Sequence, residues 1–231
     1  MRALRRNARR PSEHPASGGF GSAFERLGLT AAEVTAVARE AAAKLRARPP
    51  RDAVRVAHAL AGSRTLEGRQ VAYLLLSRLR PAAEALTAAD VERLGRGNDN
   101  WVSTDTFACF VAGPAWREGR LAGARVHRWT RSRDRWWRRT ALASTVALNV
   151  AARGGRGDAA RTLETCGRLV DDHDDMVTKA MSWALRALVP HDAAAVRAFL
   201  AKHDGALAAR VKREVGNKLR TGRKNARGGR A

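Results

Sequence analysis

Residues 30–50 read TAAEVTAVAREAAAKLRARPP, and this stretch sets the fold class of the chain. Thr30 with Glu33 three residues later has the form of a capping box, in which each side chain satisfies the other residue's backbone N–H. Behind it Val34, Val37, Ala38 and Leu45 recur at helical spacing, and Pro49-Pro50 ends the run. The same grammar continues outward. A second helix is predicted from Asp52 through Val54, Val56 and Leu60 to Gly62. A third runs from near Thr65 through Val71, Leu74, Leu75 and Leu79 to Pro81, and a fourth from Thr87 with Val91 and Leu94 to Gly95. Further helices are predicted at about 100–112, 117–130, 133–152, 157–170, 173–188, 192–203 and 206–220. Their connectors are Gly113-Pro114, Gly154-Gly155, Asp171-Asp172 and Pro190-His191. No run alternates with period two long enough to make a strand, so the chain is predicted to be all-α.

Helices starting near 65, 100, 133 and 173 are each followed by a second helix, at intervals of about 33 to 40 residues. That interval is the range of HEAT-like helical pairs, which stack into a curved α-solenoid with a concave binding surface. One HEAT-like repeat domain is therefore expected over 21–220. It is flanked by a basic segment at 1–20, rich in Arg, Pro, Ser and Gly, and a basic tail at 221–231, both read as disordered.

Lys and Arg number 44 against 22 Asp and Glu, a net charge of +22. The arms carry part of this excess, but residues 21–211 still hold 31 basic against 20 acidic residues. A charge of this sign points to a polyanionic partner, with nucleic acid first. Cys109 and Cys166 have no metal or redox spacing and sit in apolar helical stretches, as small hydrophobes do in a reducing compartment. Asp171-Asp172-His173-Asp174-Asp175 reads as a helix start rather than a metal site, because carboxylates there cap N–H groups and suit the helix dipole. No metal or cofactor is expected. No stretch is apolar for long enough to cross a membrane, and Met1–Arg6 has no apolar run behind it. A monomeric cytoplasmic protein, nucleoid-associated when bound to DNA, is the expectation.

Six tryptophans are present, and their neighbours carry the functional signal. Trp101 and Asp105 are four residues apart, so on a helix they share one face, an aromatic ring beside a carboxylate. Trp136-Trp137 precede Arg138-Arg139, and Trp183 lies in Lys179–Arg186. Trp116 and Trp129 are assigned to packing. These three motifs, in this order and at this spacing, resemble the DNA alkylation repair family, the AlkD-like HEAT-repeat glycosylases. The resemblance covers roughly residues 24–220, starting from Leu27-Gly28-Leu29-Thr30.

The resemblance implies catalytic roles for Asp105, Trp101 and Trp183, and phosphate contacts from Arg139, the third residue after Trp136, with Arg138 beside it. It also implies a substrate: cationic N3- or N7-alkylpurines in double-stranded DNA, excised without drawing the base into a pocket. Val102 stands where the family's pattern commonly carries an acid. Fewer residues precede Gly28-Leu29-Thr30 than family members usually have, and the basic arms at 1–10 and 212–231 are expected to offset this through salt-dependent phosphate contacts. Two other classes stay open: a non-catalytic module for branched or distorted DNA, and a protein-interaction scaffold. A scaffold would need no carboxylate on a concave basic surface.

Overall fold

The computed structural model describes Leu4, Arg5, Ala8 and residues 21–225. Among these residues every regular element is a helix, and the only ladder pairing is one isolated bridge between Glu25 and Thr65. The all-α expectation holds. The disorder expected of the arms falls almost wholly outside the described residues. Leu4 departs from it: this one apolar side chain is helical and fully buried. The chain divides into two compact units, Met1–Leu121 and Ala122–Ala231, where sequence reasoning drew a single repeat domain over 21–220.

The first unit is built on α1 (Ala31–Leu45), α2 (Pro50–Ala61) and α3 (Leu66–Arg78). Thr30 and Glu33 form the capping box foreseen for α1, with Thr30 Oγ1 accepting from Glu33 N at 3.2 Å. Val34, Ala38 and Ala42 of α1 and Val71, Leu75 and Leu76 of α3 are buried where these helices pack. A short α4 (Arg80–Glu84) leads to α5 (Ala88–Gly95), which opens on a second capping box, Thr87 with Asp90. Asp90 also receives Arg51 at 2.7 Å and lies 3.0 Å from His58 Nε2, which ties α5 to α2.

After Asn100 the chain runs as one continuous helical rod: α6 (Trp101–Phe107), a wide π turn (Ala108–Ala112) and α7 (Gly113–Arg117). The predicted connector at Gly113-Pro114 is therefore corrected, as is the helix at 117–130. Proline lacks an N–H and its ring crowds the carbonyl four residues back, so inside a regular helix it breaks the ladder. Here Gly113 N–H bonds the Ala108 carbonyl five residues back, and the widened turn carries the helix past Pro114. The rod ends at Glu118, and α8 (Gly123–Trp129) begins the second unit.

That unit centres on α9 (Arg135–Asn149) packed against α11 (Asp175–Leu188), with α10 (Ala159–Gly167), α12 (Ala193–Lys202) and α13 (Ala209–Thr221) around them. Every residue of α9 from Arg139 to Asn149 is buried. Its buried hydroxyls are satisfied on their own helix: Thr140 donates to Trp136 O and Ser144 to Thr140 O, each at 2.7 Å. Leu142, Val177, Met181, Leu185, Val196 and Val215 form the core around it, with Cys166, whose thiol pKa is pushed up by burial. Asp174 caps α11 through Met176 N and Val177 N, as the acidic run foretold. No helix among the described residues is long and apolar enough to cross a membrane.

Two outcomes test these packings. A Cβ at Gly155 would sit 2.6 Å from Asn149 N and Leu148 C, backbone atoms that cannot yield. Gly155→Ala is expected to lower stability by about 1–3 kcal/mol, read as a fall in the thermal midpoint; an unchanged midpoint would refute this packing. Burial alone would push the Asp90 carboxyl up, but hydrogen bonds from Arg51, the Thr87 backbone and His58 outweigh it and hold the group far below the usual carboxylate range. A depressed folded pKa stabilises above the unfolded value and loses that contribution as pH falls, here below about pH 4. Denaturant titrations should therefore show a flatter acid limb for Asp90→Asn than for wild type.

Candidate functional site

The first unit presents Trp101 from a rigid base. Asn100, fully buried, is the N-cap of α6: its Oδ1 accepts from Ser103 N at 2.9 Å. Its Nδ2 donates to Asp99 Oδ1 at 2.9 Å, and Asp99 in turn accepts from Ser22 Oγ at 2.7 Å and from Ala23 N at 2.6 Å. The segment at 22–24 is thus strapped to the loop that launches the helix. Ser103, Thr104 and Phe107 face inward, and the Phe107 ring lies 5.4 Å from that of Tyr73. Trp101 faces outward and is 43% exposed, the one large hydrophobic side chain exposed among the described residues. Asp105 is half-buried one turn further on, immediately before the π turn. A lone exposed apolar side chain is ordinary on a protein surface; what marks Trp101 is the carboxylate one turn away. The shared face of Trp101 and Asp105, expected from their spacing, is realised on α6.

In the second unit, α9 and α11 position the remaining candidates. Arg139 is only 5% exposed, and its Nη1 donates to Met176 O at 2.5 Å in the first turn of α11. Asp175 lies in the same turn. A hydrogen bond from Lys179, and then the charges of Lys179, Arg210 and Arg139, hold its carboxyl below the usual range. Arg138 points elsewhere. Its Nε meets Asp172 Oδ2 at 2.6 Å and its Nη1 donates to the carbonyls of Ser132 and Arg133, so this guanidinium secures the loop before α9. Adjacent helical residues point about 100° apart, and only one of the two could share Arg139's surroundings. The Trp129 and Trp137 rings stack at 4.9 Å, and Trp116 is buried, in keeping with packing roles.

Trp183 is half-buried on α11, on the face shared by Asp175, Lys179 and Arg186. Beneath it the polar network is closed by Glu214 of α13, 5% exposed, which accepts from Ser182 Oγ at 2.6 Å. Arg186 Nε donates to the same hydroxyl at 3.2 Å, and Arg210 Nη1 reaches Glu214 at 3.4 Å. Burial pulls the Arg186 guanidinium's pKa down, against the opposing pull of Glu214. The cations on this part of the unit are paired: Lys179 and Arg210 with Asp175, and Arg186 with Glu214. Sequence reasoning named Trp183 but gave no role to Arg186 or Glu214. The signal for Arg186 was its place three residues after Trp183; for Glu214, on another helix, there was none.

The family model for the DNA alkylation repair enzyme matches residues 1–219, taking in the basic N-terminal segment as well as the helices. A solved structure described as a predicted DNA alkylation repair enzyme from Enterococcus faecalis superposes with a TM-score of 0.72 at 16% identity, over 91% of this chain and 95% of that one. At that identity the likeness establishes the fold alone. Comparison with curated protein sequences gave no match. With a family match that spans nearly its whole length, this chain belongs to the DNA alkylation repair enzyme family.

Proposed function

We propose that this protein is a DNA glycosylase that hydrolyses the N-glycosidic bond of cationic N3- or N7-alkylated purines in duplex DNA. The observation that carries this reading is the Trp101–Asp105 pair, an indole held 43% exposed one helical turn from a half-buried carboxylate. Family membership supports a repair role on DNA, and a net charge of +22 supports a polyanionic partner.

An alkylated purine that already carries positive charge is a good leaving group, so its departure needs no strong general acid. The C1′–N bond breaks with its electron pair going to the base, which leaves neutral. Positive charge then develops on the deoxyribose. Asp105 is placed to stabilise that charge before it forms, with no reorganisation at the moment of reaction. It also orients the water whose oxygen bonds C1′ and whose proton passes through the carboxylate to solvent. Trp101 offers its ring face to the same cation, a contribution of about 0.5–2 kcal/mol. Trp183 and Arg139 are proposed, from the resemblance alone, as an aromatic and a phosphate contact to DNA. Hydrolysis on an exposed helix face needs no enclosing pocket. Excision would then proceed without drawing the base out of the duplex into the protein, and bulky adducts would be accepted.

Release of free 7-methylguanine from methylated duplex DNA tests the reading. Wild-type protein is expected to liberate the base, and Asp105→Asn to be slower by on the order of 10²–10³-fold while binding the duplex with unchanged affinity. Wild-type protein that binds methylated duplex yet frees no base would replace this reading with that of a non-catalytic DNA-binding module.

A further inference from the structure

Arg69, on α3, is 7% exposed, and no carboxylate lies within ion-pair distance of it among the described residues. Its Nη1 donates to Asn98 Oδ1 at 3.0 Å and to Leu94 O at 3.4 Å, and its Nη2 to Arg96 O at 2.9 Å. The three acceptors lie in the last turn of α5 and the loop that follows it. Tyr73, one turn along α3, reaches the same stretch: its hydroxyl lies 2.9 Å from Leu94 O and 3.1 Å from Asn98 Oδ1. Burial pushes the Tyr73 phenol up, so it keeps its proton for this bond. The face of the Arg69 guanidinium is covered by the Phe24 ring at 4.5 Å, and Phe24 directly follows Ser22 and Ala23, which hold Asp99. From Asn98 the chain passes through Asp99 and the cap Asn100 to Trp101 with no residue left outside this lattice.

A buried guanidinium without a counter-charge is a poor way to stabilise a fold. Desolvating it costs several kcal/mol, against which stand only hydrogen bonds to neutral acceptors. The cluster is also incompletely satisfied, since Arg69 Nε and Asn98 Nδ2 find no acceptor. What the arginine supplies is a planar fork that fixes three acceptors at once.

We propose that Arg69, with Tyr73 and Asn98, positions the Trp101–Asp105 pair for reaction by fixing the loop that launches α6. The proposal rests on the reading of that pair as the reacting one. Misplacing a reacting group by an ångström slows a reaction by up to about 10²-fold, so a loosened take-off of α6 lowers the rate of base release more than the affinity for duplex.

The test uses the full chain labelled with 5-fluorotryptophan, the Trp101 resonance being identified by its loss in Trp101→Phe. Arg69→Met keeps the bulk of the side chain and removes the fork, and Asn98→Ala removes the central acceptor. Both are expected to melt cooperatively, with the Trp101 resonance shifted or broadened and the other tryptophans unmoved. Single-turnover release of 7-methylguanine should slow about tenfold, with duplex affinity within about twofold of wild type. Arg69→Lys should not restore the rate, because an ammonium cannot hold three acceptors in a fork. A folded Arg69→Met whose Trp101 resonance and rate match wild type would overturn the proposal. Should Arg69→Met fail to fold, Tyr73→Phe keeps the ring against Phe107, and an unmoved Trp101 resonance there overturns it equally. The resonance is read without any reaction, so a wild-type chain that frees no base would count against the glycosylase reading alone.

Discussion

Short helices cannot leave their first N–H groups unbonded, and the way this chain meets that constraint shapes everything else about it. Helix after helix starts on a side chain that accepts from its own first turn: Thr30, Thr65, Thr87, Asn100, Asp134, Asp158, Asp174 and Asp192. Each such cap is worth about 1 kcal/mol, and elements of seven to fifteen residues would be marginal without them or without packing. The caps also set the electrostatics. Carboxylates are concentrated at helix starts, where the dipole favours them, and others are held by neighbouring arginines, as Asp52 is by Arg48 and Arg55. Even if every acid met one base, 22 positive charges would remain. Asp105 lies inside α6 rather than at its start, half-buried and one turn from an exposed indole.

Features set by neighbouring residues were legible in the sequence. The Thr30–Glu33 box, the Asp174 cap and the shared face of Trp101 and Asp105 each depend on residues within about a turn of one another, and each was read correctly. The reading failed where a local rule has a nonlocal exception. Gly113-Pro114 carries a strong helix-breaking signal, yet a π turn absorbs it, with Gly113 N–H reaching back five residues to the Ala108 carbonyl. Arg138 and Arg139 are indistinguishable as neighbours in sequence. Their different fates follow from α11, which supplies Asp172 just before its start to one and the Met176 carbonyl to the other. The grip of Arg69 on residues 94–98 spans more than twenty positions and has no periodic signature.

Buried polar groups are dear in a fold of this size, and their distribution is uneven. In the first unit the uncompensated Arg69 and the fully buried Asn100 both act on the loop that ends at Trp101. In the second, the buried Arg139 holds the first turn of the helix that carries Trp183, and the buried Glu214 accepts from Ser182 and lies 3.9 Å from Arg186 on that helix. A buried polar group that loses one partner is costly, so each of these groups holds its neighbours in one arrangement. A carboxylate or a ring that must meet charge developing on a sugar has to stand within about half an ångström of its productive position before the reaction begins, held by neighbours that are themselves fixed. On the proposed function, these groups would fix the loop before Trp101 and the helix that carries Trp183.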